Sequence, residues 1–167
     1  RDLLALSQSR FGALSAEAAA TGVALADLLR ARSRAAEAEP FYRAAVEADL
    51  RLYGEADPRH AADLGALAAT LDDMGRHLEA EPLHRRALAL RRQVFGERDA
   101  ATAQAYARMA LNLDAQGRHA EAEPLHRTAL KTDRELRGPR HLATAADAAA
   151  LGRNLDAQGR RDEAEVM

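Results

Sequence analysis

The segment Gly117–Leu130, GRHAEAEPLHRTAL, is nearly repeated in Gly75–Leu88, which has the sequence GRHLEAEPLHRRAL. The two segments are 42 residues apart (117 − 75), and the same step leads from Gly117 to Gly159, where GRRDEAEV restarts the pattern. Glycines with the same period close the repeated segments at Gly54, Gly96 and Gly138. A period between about 20 and 50 residues is typical of a repeat array. The sequence therefore predicts a chain built from repeats of one structural unit.

Two amphipathic helices are predicted in each repeat. In the second repeat, four apolar residues recur at the spacing i, i+3, i+4 and i+7 of one helical face: Leu64, Leu67, Ala68 and Leu71. Asp57 followed by Pro58 is a typical start for this helix, with an N-cap acceptor before a proline at the first helical position. Gly75 ends it, and a second helix follows to Phe95.

The same pattern extends to the other repeats. Helices are predicted at Ala16–Ala31, Ala36–Tyr53, Leu78–Phe95, twice within Asp99–Arg137, at His141–Gln158 and at Asp162–Met167. The buried stripes of two second helices are predicted as Ala38, Phe41, Ala45 and Leu52, and as Ala122, Leu125, Ala129 and Leu136. We interpret residues 1–167 as a single repeat array: 1–12 is the tail of a preceding repeat, 13–54, 55–96 and 97–138 are full repeats, and 139–167 is truncated.

Two local features recur in the second helices. Proline recurs at Pro40, Pro82 and Pro124, and we expect it within the opening turns, where a bend is tolerated. Glutamate and arginine recur four residues apart, in Glu39 with Arg43, Glu81 with Arg85, and Glu123 with Arg127. Such a pair stabilises a helix by about 0.3 kcal/mol.

Composition narrows the functional classes. The formal net charge is −2, which gives no basic surface for nucleic acid or for an anionic membrane. No apolar run approaches the roughly 20 residues that span a bilayer, and the first residues do not resemble a signal peptide. Cysteine is absent, which removes disulfides and thiolate ligands and fits a reducing compartment. We therefore expect a cytoplasmic protein with neither a nucleic-acid nor a membrane partner.

The histidines are the candidate metal ligands of this sequence. His77 and His119 are one period apart, as are His84 and His126, but seven residues along a helix separate two ligands by about 10 Å. His84 and His126 occupy the register of Tyr42, a semi-buried packing position. No phosphate-binding loop, HExxH or GxSxG motif is present. The sequence predicts no enzyme, no cofactor and no metal site; a metal-binding enzyme that uses the histidines is the weakest of three hypotheses.

A family resemblance rests on residues already described. Small residues lie at Ala68, Ala110 and Gly152, glycine lies at the turn between helices, and Ala80 and Ala87 are seven apart. This pattern resembles a tetratricopeptide repeat array, and the 42-residue period resembles the kinesin-light-chain type that is common in multidomain bacterial proteins. The resemblance implies an all-α fold, a right-handed α-solenoid of antiparallel helix pairs. It also implies a protein-interaction scaffold that binds a peptide or helical segment in a concave groove.

The resemblance also assigns the groove to the first helix of each repeat. The groove positions translate here to Ala62, Gly65, Ala69 and Asp72, to Gln104, Arg108, Leu111 and Asp114, and to Ala149, Arg153 and Asp156. Paired asparagines that bond a peptide backbone in the kinesin-light-chain pattern are replaced by Gly65-Ala66, Ala107-Arg108 and Ala149-Ala150. A clamp for a terminal carboxylate is also missing. The expected groove is narrow and alanine-lined, and suits an amphipathic helix or an extended apolar segment.

Two questions stay open at this stage. Asp72, Asp114 and Asp156 form a row at the repeat period. They either line the groove or lie near a helix end, as solvated groups or as groups that stabilise turns through side-chain bonds to the backbone. The alternative to a peptide-binding scaffold is a module that self-associates, or that serves as the sensor or spacer of a larger signalling or ATPase protein.

Overall fold

The computed structural model describes residues 15–166, and every regular element in that range is an α-helix. The helices are α1 (Ala16–Ala31), α2 (Ala35–Tyr53), α3 (Pro58–Asp73), α4 (His77–Phe95), α5 (Ala100–Ala115), α6 (His119–Arg137), α7 (Leu142–Ala157) and α8 (Arg161–Glu165). Odd-numbered helices are the first helices of the repeats, and even-numbered helices are the second. The predicted all-α fold of consecutive helix pairs is confirmed. The predicted tail at residues 1–12 lies outside the described residues.

The chain divides into two compact units between Leu90 and Arg91, inside α4. In the first unit, Leu67 and Leu71 of α3 pack with Leu29 of α1 and Tyr42 of α2. Small side chains fill the spaces between these larger ones: Ala26, Ala38, Ala68 and Ala80. Because alanine lets two helices approach closely, helices with few aromatic residues still form a dense core.

In the second unit, the core is built in the same register. Met109, Ala110 and Leu113 of α5 pack with Ala122 of α6, and Leu125 covers them. On α7, Leu151 and Leu155 are fully buried. In the first unit, the inward positions predicted on α3 are all buried and so confirmed: Leu64, Leu67, Ala68 and Leu71.

The prediction for the ends of two second helices is wrong. Leu52 and Leu136 are 46% and 47% exposed, although the apolar pattern placed both on the buried stripe. The buried residues of α2 beyond its first turn are Ala38, Tyr42, Ala45, Ala48 and Asp49. Leu52 follows the buried Ala48 by four residues and so shares its face, but the buried residues of α2 end at Asp49. The apolar face therefore continues past the point where the helix is covered.

Side-chain caps begin the first helices. Asp57 accepts a hydrogen bond from the backbone N–H of Arg59 at 2.9 Å, and Asp99 accepts from Ala101 at 2.8 Å. His141 takes this role before α7, where Nδ1 accepts from the backbone N–H of Ala143 at 3.1 Å. The second helices begin differently, with an arginine that binds a glutamate three residues later: Arg34 with Glu37, Arg76 with Glu79, Arg118 with Glu121, and Arg160 with Glu163.

The recurring prolines and ion pairs lie where the sequence indicated. Pro40, Pro82 and Pro124 are inside α2, α4 and α6, within the first two turns. The three predicted i, i+4 pairs are present, with arginine-to-glutamate distances of 2.6 to 2.8 Å. Arg76 of the turn before α4 also reaches Glu39 of α2 at 2.7 Å, and Arg160 reaches Glu123 of α6 at 2.6 Å. These arginines join neighbouring repeats within each unit.

The turn between the two helices of a repeat requires a positive φ angle. At Gly75 φ is 74°, and in the first repeat Ser33 occupies the same register with φ of 57°. A Cβ atom on Gly75 would meet nothing within 4 Å, so the cost of a side chain there is confined to the backbone. For residues other than glycine this conformation costs roughly 1 kcal/mol.

We predict opposite effects for a matched pair of substitutions. Ser33→Gly should raise the free energy of unfolding by about 0.5 kcal/mol, since relief of strain is partly offset by the greater entropy of glycine in the unfolded chain. Gly75→Ser should lower it by about 1 kcal/mol. Urea unfolding followed by circular dichroism measures both. Equal effects of the same sign would contradict the account of the turn.

Candidate functional site

The predicted groove residues of the first unit differ in exposure along α3. Ala62 is exposed, Gly65 and Ala69 are buried, and Asp72 is half-buried. Gly65 and Ala69 therefore contribute to close packing, and Ala62 presents the largest relative surface of the four.

In the second unit, the predicted residues form exposed stripes on two helices. Gln104 and Leu111 of α5 are exposed, and Arg108 between them is half-buried. Ala149, Arg153 and Asp156 of α7 are all exposed. Within each helix, these residues are spaced i, i+4 and i+7, so they share one face. We call this surface the first-helix stripe.

Asp72 binds two histidines of its own repeat. His77 Nδ1 lies 2.9 Å from Asp72 Oδ1, and His84 Nε2 lies 2.7 Å from Asp72 Oδ2. The carboxylate thus accepts one N–H on each oxygen, and it ties the end of α3 to the start of α4. The seven-residue spacing of the histidines, which argued against a shared metal, places both rings within reach of one carboxylate.

The same arrangement recurs around Asp114, with an added bond from the next repeat. His119 Nδ1 lies 2.9 Å from Asp114 Oδ1, and His126 Nε2 lies 2.7 Å from Oδ2. Asn154 of α7 donates to Asp114 Oδ1 at 2.6 Å and to the His119 carbonyl at 2.9 Å. His126 is completely buried, rather than semi-buried as its register suggested. Asp114 therefore joins two helices of its own repeat to the following one.

The aspartate row divides into two kinds of residue. Asp72 and Asp114 bond histidine side chains, which is a structural use that neither sequence alternative named. The side chain of Asp156 is 61% exposed and lies 3.8 Å from Arg161 Nε. Across residues 15–166, no group of three His, Cys, Asp or Glu side chains is arranged to hold a metal ion.

A cavity in the second unit has two buried carboxylates in its wall. It measures about 390 Å³ and is lined by alanines of α5 and α7, by Asp133 and Arg137 of α6, and by Asp147 of α7. Asp133 is 5% exposed and Asp147 is 9% exposed. Asp133 Oδ1 and Asp147 Oδ2 have no hydrogen-bond donor among the described residues. Arg137 Nε lies 3.3 Å from Asp133 Oδ1, an ion pair without hydrogen-bond geometry. We call this cavity the second acidic pocket.

A cavity of about 550 Å³ repeats this arrangement in the first unit. Asp49 and Asp63 occupy the positions of Asp133 and Asp147, 84 residues earlier (133 − 49), and Asp27 of α1 is added. Asp49 is 5% exposed. The arginine in this wall, Arg59, is bound to Asp57 at 2.9 Å and lies over the ring of Tyr53. We call this cavity the first acidic pocket.

Burial and nearby charges raise the pKa of carboxyl groups in both pockets. Burial, with the Asp49 and Asp27 carboxylates, raises the pKa of Asp63 to about 7. Burial, with Asp133, raises the pKa of Asp147 to about 6, against a lowering by Arg137. Burial also raises the pKa of Asp49. The cations in the pocket walls do not offset the desolvation of these carboxylates, which is a cost to the folded state near neutral pH.

Ala62 and Gln104, which the sequence assigned to the groove, line these pockets. The four aspartates at positions 49, 63, 133 and 147 were not predicted from the sequence. A signal was available at twice the repeat period. Aspartate occupies positions 49 and 133, and also 63 and 147, while the repeat between them has Arg91 and Ala105 in these registers. Arg91 donates from Nη1 to the carbonyl of Ala101, a lining residue of the second acidic pocket, at 2.7 Å.

The consecutive helix pairs define an α-solenoid repeat protein. The sequence pattern of the tetratricopeptide repeat matches residues 16–93, 64–135 and 101–167. The chain therefore belongs to the tetratricopeptide repeat family, whose members are generally protein-interaction modules and typically non-enzymatic scaffolds. A comparison with curated proteins gives no match.

Solved structures with the same fold include relatives of kinesin light chains. BtubC (BKLC) from P. vanneervenii is 21% identical with a TM-score of 0.82; the match covers 90% of this chain and 60% of that one. A putative kinesin light chain from Podosopora anserina with nearly identical TPR-like repeats is 20% identical with a TM-score of 0.82, covering 97% of this chain and 77% of that one. A variant of the same Podosopora protein is 20% identical with a TM-score of 0.84, with 97% and 76% covered. The predicted kinesin-light-chain type of repeat is confirmed.

We predict that two aspartates of the same register differ in their effect on stability. Asp114→Ala removes the acceptor of the His126 and His119 rings and one of the two acceptors of the Asn154 amide, and should lower the free energy of unfolding by about 1–3 kcal/mol. Asp156→Ala, its exposed control, should change it by less than about 0.5 kcal/mol. Chemical denaturation measures both. Similar values for the two variants would contradict the structural role of Asp114.

We predict that Asp63→Asn stabilises the chain at neutral pH. The folded-state pKa of Asp63 is about 7 and the ordinary value is near 4, so folding takes up a proton between these pH values. Stability is therefore lost as pH rises from about 4 to about 7. Asp63→Asn should gain about 1 kcal/mol at pH 7.5, a value discounted for partial exposure. Thermal unfolding at pH 7.5 and pH 4 tests this: a gain that is equal at both pH values would contradict it.

Proposed function

We propose that the chain binds a protein partner, as a peptide or helical segment, along the first-helix stripe. The observation that carries this proposal is the shared exposed face of Gln104, Arg108 and Leu111 on α5 and of Ala149, Arg153 and Asp156 on α7. Five of these six side chains are exposed, and Leu111, at 48%, is a large apolar group left facing solvent. Membership of the tetratricopeptide repeat family supports a protein as the ligand.

The chemistry of the first helices favours a segment with one apolar face. Alanine at Ala62 and Ala149 allows a partner backbone to approach closely, and Leu111 offers apolar surface. Arg108 and Arg153 add positive charge. We propose that Asp156 contributes negative charge to the same surface, that Asp72 and Asp114 help indirectly by fixing the helices through their histidines, and that Gly65 and Ala69 help by close packing.

The remaining expectations form part of the same proposal. We propose a non-enzymatic scaffold without a cofactor that acts in the cytoplasm of a bacterium. No helix between residues 15 and 166 is long and apolar enough to cross a membrane. Self-association is the competing proposal, and light scattering across a range of concentrations distinguishes the two, because a partner-binding monomer keeps a constant mass.

We predict that Arg108→Glu with Arg153→Glu weakens binding of a selected peptide at least tenfold. Peptides would be selected from a random display library against the chain, and affinity measured by fluorescence anisotropy. The reversed charges disturb the stripe at two points on α5 and α7, which changes the electrostatic match to the partner.

The control carries the same charge change elsewhere. Arg51→Glu with Arg85→Glu alters two exposed arginines on second helices, whose side chains are 58% and 60% exposed. This variant should retain affinity within about twofold, because the altered side chains lie on second helices rather than on the stripe. Equal loss in both variants, or no loss in the first, would contradict binding at the stripe.

A further inference from the structure

We infer that each acidic pocket receives one basic side chain, an arginine or a lysine, from a bound segment. This inference deepens the proposed function, and it rests on that function because it names the chemistry of the partner's anchoring residues. In the second unit, Gln104 belongs both to the stripe and to the pocket wall, so a segment on the stripe passes the opening of the pocket. In the first unit, the exposed Ala62 of α3 lines the other pocket.

The buried oxygens of the second pocket lack donors. Asp133 and Asp147 are both at least nine-tenths buried, and each has one oxygen that accepts no hydrogen bond within the described chain. A buried carboxylate oxygen without a donor destabilises the fold by roughly the desolvation cost that a hydrogen bond would offset. A guanidinium or ammonium group brings several N–H donors and a positive charge to both carboxylates.

Charge balance in the second pocket favours a cation. Two carboxylates face one arginine in the wall, Arg137, whose ion pair with Asp133 lacks hydrogen-bond geometry. Arg91 lies beside this wall, but its guanidinium binds the Ala101 carbonyl and Gln104, at 2.7 and 3.4 Å, and not the two carboxylates. The open oxygens of Asp133 and Asp147 therefore still lack a donor, and an anionic or purely apolar guest would leave them uncompensated.

The first acidic pocket has more carboxylates than the second. Glu17, Asp27, Asp49 and Asp63 line the first pocket, and Asp27 accepts a hydrogen bond from the Tyr42 hydroxyl. The guanidinium of Arg59 is held by Asp57 through Nε and Nη2 at 2.9 and 3.0 Å. Asp49 is 5% exposed, so its carboxylate is largely removed from water. The raised pKa of Asp63, caused by burial and the neighbouring carboxylates, agrees with a missing countercharge.

The pocket walls fit the rest of such a side chain. Alanines supply most of the remaining lining: Ala16, Ala20, Ala24 and Ala62 in the first pocket, and Ala100, Ala101, Ala143 and Ala146 in the second. Arginine and lysine bury an aliphatic stem along apolar surface and present charge at the tip. Volumes of about 550 and 390 Å³ accommodate either side chain. The alanine surface therefore fits the aliphatic stem of the guest side chain, and the carboxylates fit its charged tip.

The test uses the isotope-labelled chain and two defined peptides. One peptide is acetyl-AAARAAA-amide, and the other carries citrulline, which keeps the shape of arginine without its charge. Titration is followed by amide chemical shifts. The arginine peptide should shift resonances around Asp147 and around Asp63 with an affinity at least fivefold higher than the citrulline peptide. Equal affinity of the two peptides would overturn the inference.

Paired variants supply the internal control. Asp133→Asn with Asp147→Asn should abolish the shifts in the second unit and leave those in the first, and Asp49→Asn with Asp63→Asn should do the reverse. Removing buried charge favours folding, so loss of binding in these variants does not come from unfolding. Arginine-dependent shifts that persist at a neutralised pocket would contradict the assignment. Saturable shifts with calcium chloride alone at submillimolar concentration would mark the pockets as metal sites and also contradict it.

Failure of this inference is distinguishable from failure of the proposed function. If display-selected peptides lose affinity with Arg108→Glu and Arg153→Glu, yet arginine and citrulline peptides behave alike, the stripe binds partners and the pockets take no basic side chain. If selected peptides are insensitive to those changes as well, both proposals are wrong.

Discussion

Close packing of small side chains is the constraint on which this structure depends. Ala26, Ala38, Ala68 and Ala80 lie in the core of the first unit, and Ala110 and Ala122 hold the matching positions in the second. An isolated helix pair cannot bury its apolar stripe, so each repeat relies on its neighbours for stability. The register within each repeat must then be kept, because an insertion or deletion inside a helix would move alanine out of the contact and put a larger side chain in its place.

Polar contacts then fix the helices that the alanines bring together. Asp114 joins α5, α6 and α7 through His126, His119 and Asn154. Arg160 adds a bond to Glu123 of the preceding repeat. These contacts are directional, whereas alanine packing alone permits sliding, so we regard them as the source of a defined angle between successive helices.

The fold could be predicted from the sequence almost completely, and the site only in part. Glycine spacing, Asp57-Pro58 and apolar periodicity depend on local rules, so helix ends such as Tyr53, Phe95 and Arg137 were predicted correctly. The error at Leu52 and Leu136 arose because apolar periodicity shows which face of a helix is inward but not where its cover ends, and the buried residues of α2 and α6 end at Asp49 and Asp133. The acidic pockets were missed because their aspartates come from different helices and recur only in alternate repeats. Burial of the Asp63 and Asp147 carboxyl groups lowers the stability of the folded state, and this indicates such a site. The burial of these groups depends on the three-dimensional structure and cannot be read from the sequence.

The most direct measurement of the central claim is a set of backbone ¹³C secondary chemical shifts for the whole chain. The account predicts helical shifts throughout residues 16–157, interrupted at the turns around Ser33, Gly75 and Gly117 and at the connections that follow Gly54, Gly96 and Gly138. Interruptions spaced 42 residues apart would support paired helices repeating along the chain. Strand-like shifts, or interruptions that do not keep this period, would contradict it.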